Sequence, residues 1–284
     1  MKINTLVIVF VHLLLFGCTL VPFYVEGDDA STIVHHVLGI DLEPVYASYH
    51  GMFDTYLSFF GNDETVLRKI AIYTSFVASI VSLLLFSYLI QLKQLQLSRF
   101  SYLIIFIVIE FLFWALLLNP TAIAFVFVLL AHVFLIKYQK TAKFNMFLWS
   151  AVCFGLGVSF RWSIGFYILV LFSEYIFIED KKMFFSKSNF VKSWYLFPIY
   201  FIGVLFFIYL SGYTVVDIYE TYAFGSSYME QKETSYLSLF ATSISFFTPA
   251  LLFAVSIALF WAVKEQKIKA LLMLLFSLMP YFLL

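Results

Sequence analysis

Apolar runs of about 16–26 residues recur along the whole chain, separated by short polar and basic segments. That pattern restricts the fold more than any motif does. A bilayer core of ~30 Å needs roughly 20 apolar residues in helical form. Backbone polar groups in lipid must be paired internally, which leaves helices or a closed barrel. The runs are continuous and lack the alternation of barrel strands, so the expected fold is an all-α, polytopic membrane protein. About nine transmembrane helices are expected, near 3–25, 67–92, 100–118, 121–137, 145–160, 162–178, 194–212, 236–263 and 269–284.

Charged residues make up only 12% of the chain, so an ionised side chain inside a run calls for a reason. The net charge is zero, and there is no electrostatic case for a nucleic-acid partner. The two cysteines, Cys18 and Cys153, both fall in apolar runs, which argues against a disulfide framework. Lys2 followed by an uncut apolar run reads as a signal anchor. The chain stops at Met279–Leu284 within an apolar run that has no polar flank. It is therefore read as a single transmembrane domain, 1–284, truncated at its C-terminus.

Basic residues set the orientation. With the N-terminus in the cytoplasm, the inner side collects Lys2, Lys93, Arg99, Lys137, Lys140, Lys143, Lys181, Lys182, Lys187, Lys192, Lys264, Lys267 and Lys269. The outer side keeps Arg68, Lys69, Arg161 and Lys232. That is a strong positive-inside bias. Acids gather on the outer side instead, in two loops, 26–66 and 213–235. The stretch 145–178 tests this scheme, because as one helix it would be about 51 Å long, beyond a bilayer core even when tilted. A hairpin turning near Arg161 keeps both flanking basic loops inside. Gly155, Gly157 and Gly165 supply small residues for a close approach. Each arm is short, which predicts Arg161 in a shallow, outward-facing recess.

Candidate site residues follow from where charge is expensive or crowded. Asp28 and Asp29 stand directly after the first run. Either they merely terminate that helix, or a partly desolvated carboxylate there serves as general base. The tandem pair also offers hard oxygen ligands for a divalent ion, with His36 as a third group. His35 and His36 cannot both face one centre if 30–38 is helical. Further along the loop, Tyr49, His50 and Asp54 mix aromatic and polar groups as a sugar or headgroup site requires, although such rows are also normal in an interfacial belt. Residues 30–39 and 52–60 are expected to form short helices lying in the interface. Arg161, inside an apolar region, costs about 2.5–3.5 kcal/mol on insertion scales if it sits deep. It either binds phosphate through its planar fork or snorkels to the interface. Glu110, central in the third run, is similarly costly and is expected to be protonated or paired. Loop 213–235 carries Tyr213, Tyr219, Tyr222 and Tyr228 with several acids, and could cover the site.

Together these residues resemble the GT-C superfamily of membrane glycosyltransferases, which includes the protein O-mannosyltransferases and the aminoarabinose transferase of lipid A. The resemblance rests on Gly27-Asp28-Asp29-Ala30 at the start of a long external loop, on Tyr49-His50-Gly51-Met52-Phe53-Asp54 within it, and on Gly155-Leu156-Gly157-Val158-Ser159-Phe160-Arg161 in a later span. The acidic pair is Asp-Asp where the family has Asp-Glu, and there is no His-Pro-Pro after the first loop. The resemblance implies that Asp28 or Asp29 is the catalytic base and that Arg161 contacts a lipid phosphate. His35, His36, Tyr49, His50 and Asp54 are then expected to bind substrate.

The expected enzyme lies in the cell inner membrane (or an ER-type membrane), with its N-terminus in the cytoplasm. It moves a sugar from a polyprenyl-phosphate carrier to a lipid, glycan or protein acceptor on the outer face. No cofactor is required; a divalent metal on Asp28, Asp29 and His36 is the alternative to a metal-free site. The rival readings are a transporter or lipid flippase, with Glu110 and Arg161 lining a path, and a non-catalytic membrane subunit. The lysine count makes a direct prediction. A cysteine placed at Ser48 should react with a membrane-impermeant thiol reagent from the outer side, and labelling from the cytoplasm alone would overturn the orientation.

Overall fold

The computed structural model describes residues 37–39, 51–93, 121–180, 182–214, 216–217 and 219. Their fold is helical. In chain order it comprises α1 (Met52–Ser58), α2 (Glu64–Leu92), α3 (Thr121–Thr141), α4 (Phe144–Phe160), a 3-10 segment (Trp162–Tyr167), α5 (Ile168–Ile176), a two-stranded ribbon of β1 (Phe177–Asp180) and β2 (Lys182–Phe185), and α6 (Lys187–Leu210). Among the described residues, Ile123–Thr141 and Lys187–Leu210 are long and apolar enough to cross a membrane. The spans expected near 3–25, 100–118, 236–263 and 269–284 lie outside the described residues.

Local chemistry explains most element ends. Asp63 caps α2 by accepting from Val66 N–H at 3.0 Å, and Glu64 pairs with Arg68 one turn on at 2.7 Å. Gly61, at φ +91°, makes the left-handed turn just before that cap. Between α3 and α4 there are only Ala142 and Lys143, so the two helices must be antiparallel neighbours. Ser186 caps α6 by accepting from Asn189 N–H at 3.2 Å.

Helix α4 is the centre of the packing. The hydrogen side of Gly155 faces the Gly203 carbonyl of α6, where an added methyl carbon would stand 2.6 Å from the oxygen. Gly157 faces α3 in the same way, 3.0 Å from the Ala124 carbonyl and 2.8 Å from Val128 Cγ2. Backbones this close exclude any larger residue, a common device where helices associate without a hydrophobic drive. Between these contacts Ser150 Oγ donates to the Ala131 carbonyl and bonds the Tyr200 hydroxyl, both in the buried core. Phe147 and Phe154 stand edge-on to the Tyr200 ring at 5.3 and 5.4 Å. The contacts 147 with 200 and 155 with 203 run in the same direction, so α4 and α6 are parallel.

After α4 the chain turns back. Tyr167 meets His132, and further along both segments Tyr175 stacks on Tyr138. The returning arm therefore runs parallel to α3, as the hairpin at Arg161 predicts. Two expectations are corrected. The span to 178 ends at Ile176, where Phe177 becomes extended and enters the ribbon, in register Phe177 with Phe185 and Asp180 with Lys182. Gly165 does not seat the hairpin either; a methyl there would touch only Val158, at 3.8 Å. The glycines of α4 serve its contacts with α3 and α6.

At the end of the bundle that holds the C-termini of α2 and α3, Lys93 pairs with Glu174, Lys140 Nζ donates to the Leu92 carbonyl at 2.6 Å, and Lys137 sits over the Tyr88 ring at 5.5 Å. These contacts tie α2, α3 and α5 together. The packing makes a ranked prediction for thermal unfolding in detergent. Gly155→Ala should cost about 1–3 kcal/mol, because backbone must move to admit the methyl. Gly165→Ala should stay within about 0.5 kcal/mol. Equal stability of the two variants would remove α4's role as the packing centre.

Candidate functional site

Arg161 follows the last residue of α4 and adopts an extended conformation, φ −152° and ψ 102°. Its N–H donates to Gly157 O at 3.2 Å and its carbonyl accepts from Ile164 N–H at 3.1 Å. Both the end of α4 and the start of the 3-10 segment are thereby satisfied by the one residue that reverses the chain. The side chain is 9% exposed and its Nη1 is wholly buried. A snorkelling arginine would present its guanidinium at the surface. Here it points into the protein.

Residues 51–57 meet the same end of α4. Gly51, at φ +38°, lies so close to the Ser159 carbonyl that an added methyl carbon would stand 2.4 Å from the oxygen. Just beyond, Phe53 packs at 6.5 Å from Phe160, and Tyr56 bonds Thr74 of α2 at 2.8 Å. Phe53 and Leu57 are fully buried with Leu67, Ala71 and Ala124, and Val37 and Leu38 pack against the same cluster. Helix α1 was expected to lie in the interface. Its Phe53, Asp54 and Leu57 are buried against the C-terminal end of α4 and the start of α2, with the apolar rings of Phe59 and Phe60 exposed just after it.

Asp54 is carried into the protein by that docking. It is 7% exposed, and the Tyr213 hydroxyl donates to its Oδ2 at a long 3.4 Å. Burial raises its pKa to about 8, and the Tyr213 bond offsets part of that rise. Near neutral pH Asp54 is thus mostly protonated, able to donate as well as accept. The same burial, with the Asp54 charge, pushes the Tyr213 phenol upward. Tyr213 is held in place by Gly212, at φ +83°, and by a reciprocal cap in which Thr214 and Asp217 exchange backbone and side-chain bonds at 2.6 and 3.3 Å. Those bonds keep the Asp217 carboxyl below its ordinary range.

Of the sequence candidates, Arg161 and Asp54 therefore lie in elements that meet at the C-terminal end of α4, with Tyr213 joining from the segment just after α6. Asp28, Asp29, His35, His36, Tyr49 and His50, together with Glu110, lie outside the described residues, and so does any metal set built on Asp28, Asp29 and His36. Among the described residues no cluster of three or more His, Cys, Asp or Glu side chains could hold a metal ion. Cys153 is a buried free thiol.

One polar chain escaped the sequence reading. Glu174, 7% exposed near the end of α5, receives Lys93, stands 3.8 Å from His132 Nε2, and offers its carbonyl to Gln139 at 3.0 Å. His132 Nδ1 in turn bonds the Tyr167 hydroxyl at 2.9 Å. The signal was present, since Glu174 is a carboxylate within an expected span, as Glu110 is.

Buried Asp54 links pH to stability. Its folded pKa lies above the ordinary 3.8, so the folded state holds the proton more tightly than the unfolded one. Its contribution is therefore greatest at low pH and declines as pH rises toward and through about 8. Hydrogen–deuterium exchange at Met52–Ser58 should speed up between pH 6 and 9 in the wild type, after correction for intrinsic exchange. In Asp54→Asn that excess should vanish, and an unchanged pH profile in the variant would contradict the assignment. No protein-family model, curated protein or solved structure matches the chain.

Proposed function

We propose that this chain is a polytopic membrane glycosyltransferase of the GT-C kind, with about nine spans and its active face on the outer side of an inner or ER-type membrane. It transfers a sugar from a polyprenyl-phosphate carrier to a lipid, glycan or protein acceptor. The observation that carries the reading is Arg161, a buried guanidinium at the end of α4 that meets the first external loop. A planar guanidinium recognises phosphate oxygens bidentately, and burial strengthens that attraction. Asp54, protonated near neutral pH, adds a hydrogen-bond donor without like-charge repulsion toward phosphate.

In this reading Asp28 or Asp29 takes the proton of the acceptor hydroxyl, and Asp28 is preferred because it is nearer the first span. The acceptor oxygen attacks the anomeric carbon. The bond from that carbon to the phosphate oxygen breaks, and the polyprenyl phosphate leaves with the electron pair. Direct displacement inverts the anomeric centre. His35, His36, Tyr49 and His50 line the sugar side of this proposal, and no metal or other cofactor is required for it.

A second reading, a transporter or flippase, draws on the buried chain Lys93–Glu174–His132–Tyr167. Ionisable groups within a helix bundle are a common mark of ion and substrate paths. The two readings separate in one reconstituted system supplied with polyprenyl-phosphate sugars. A transferase forms glycosylated product, and Asp28→Asn or Asp29→Asn lowers turnover by about a hundredfold or more while the protein stays folded. Arg161→Lys then weakens donor binding, with Arg161→Ala worse, because charge without the fork is not enough. Wild-type turnover in both aspartate variants, or transbilayer movement without sugar transfer, would reject the transferase.

A further inference from the structure

The ribbon and the start of α6 form a surface that neither the transfer reaction nor the transport path uses. Phe177, Phe185, Phe190 and Trp194 make a continuous ladder of rings, with centroids 6.0, 5.4 and 6.3 Å apart. At its end the apolar faces are open. Phe185 is 52% exposed, Trp194 71% and Tyr195 73%. Lys187 and Lys192 are exposed on the same stretch of helix. The surface is held rigidly, because Ser186 N–H donates to Ile176 O at 3.1 Å and the Asn189 side chain donates to Tyr175 O at 2.9 Å.

Two constraints locate this surface at one depth. Among the described residues the sheet has two strands, so each presents an outward edge of backbone groups that hydrocarbon cannot satisfy. Exposed Phe185 and Trp194 are equally ill-suited to bulk water. Only the headgroup layer accommodates both, and aromatic rings with polar edges concentrate there. Helices α4 and α6 run parallel, so Lys143 at the start of α4 lies at the same end of the bundle as Lys187, and it too is exposed. The lysine distribution makes that end cytoplasmic.

We propose that the ribbon Phe177–Phe185 and the first turns of α6 are an interfacial platform that binds the anionic headgroups of phospholipids in the cytoplasmic leaflet. Rings seat the platform at the acyl–headgroup boundary, and Lys187 and Lys192 contact headgroup phosphates. Each lysine near an anionic surface favours binding by roughly fivefold. The proposal rests on the reading of the chain as membrane-embedded, but not on any catalytic activity.

The test uses the full chain purified in detergent and exchanged into mixed phosphatidylglycerol and phosphatidylcholine, with the co-purifying lipid quantified. Phosphatidylglycerol should be enriched over its bulk fraction, and the enrichment should fall as salt screens the exposed charges. The pair Lys187→Gln and Lys192→Gln should abolish the enrichment, whereas Lys69→Gln on the outer side should leave it intact. Equal retention of both lipids by the wild type, or full enrichment in the double variant, would overturn the proposal. Alkaline carbonate extraction provides the separate control. Release of the chain without detergent would defeat the membrane reading itself and the platform with it, whereas retention with no lipid preference defeats the platform alone.

Discussion

Close backbone contact along α4 is the constraint on which the rest of the bundle depends. Gly155 admits the carbonyl of Gly203, and Gly157 admits α3 on another side, so one helix touches two neighbours at distances that no side chain allows. Dispersion and satisfied polar groups drive such contacts where apolar burial supplies little. Ser150 and Tyr200 add a buried hydroxyl pair to the same seam. With α4 fixed on two sides, its outer end has little freedom, and Arg161 inherits that fixity.

The cluster around Arg161 is then assembled from segments far apart in sequence. Gly51 lets the chain before α1 lie against Ser159 O, and this close approach brings Phe53 and Asp54 into the protein. The end of α6 delivers Tyr213 from another direction, held by Gly212 and the Thr214–Asp217 cap. Burying both Arg161 and Asp54 is costly unless the surroundings compensate. Burial gives the cluster two groups with altered chemistry, a desolvated guanidinium and a carboxyl that stays protonated near neutral pH. In the proposed transferase both would serve recognition of the donor phosphate.

Much of this was legible in the sequence, for reasons that can be traced to residues. The length of 145–178 against a bilayer core, with lysines on both flanks, demanded a reversal, and Arg161 was the only charged residue near its middle. Helices 64–92, 121–141 and 187–210 follow from runs whose length exceeds any strand. The ribbon was not legible, because Phe177 and Ile178 continue the apolar run without a break. The partners of the glycines were not legible either, since spacing within α4 does not say whether Gly155 meets the returning arm or α6. Residues 52–58 read as an interfacial helix because amphipathicity is the same whether the apolar face meets lipid or protein. Glu174 lies near the end of an expected span, and only the approach of Lys93 and His132 in three dimensions marks it.

In the proposed orientation, residues 51–58, the end of α4 and the residues just after α6 form one cluster that opens to the outer side. Paired cysteines at Asp54 and Tyr213 probe that cluster in intact cells treated with a short, membrane-impermeant bifunctional thiol reagent. An intramolecular cross-link should form from outside, and it should be lost when Gly51→Ala forces the loop away from Ser159. No cross-link from either side, or a cross-link only when the cytoplasmic face is opened to the reagent, would contradict it.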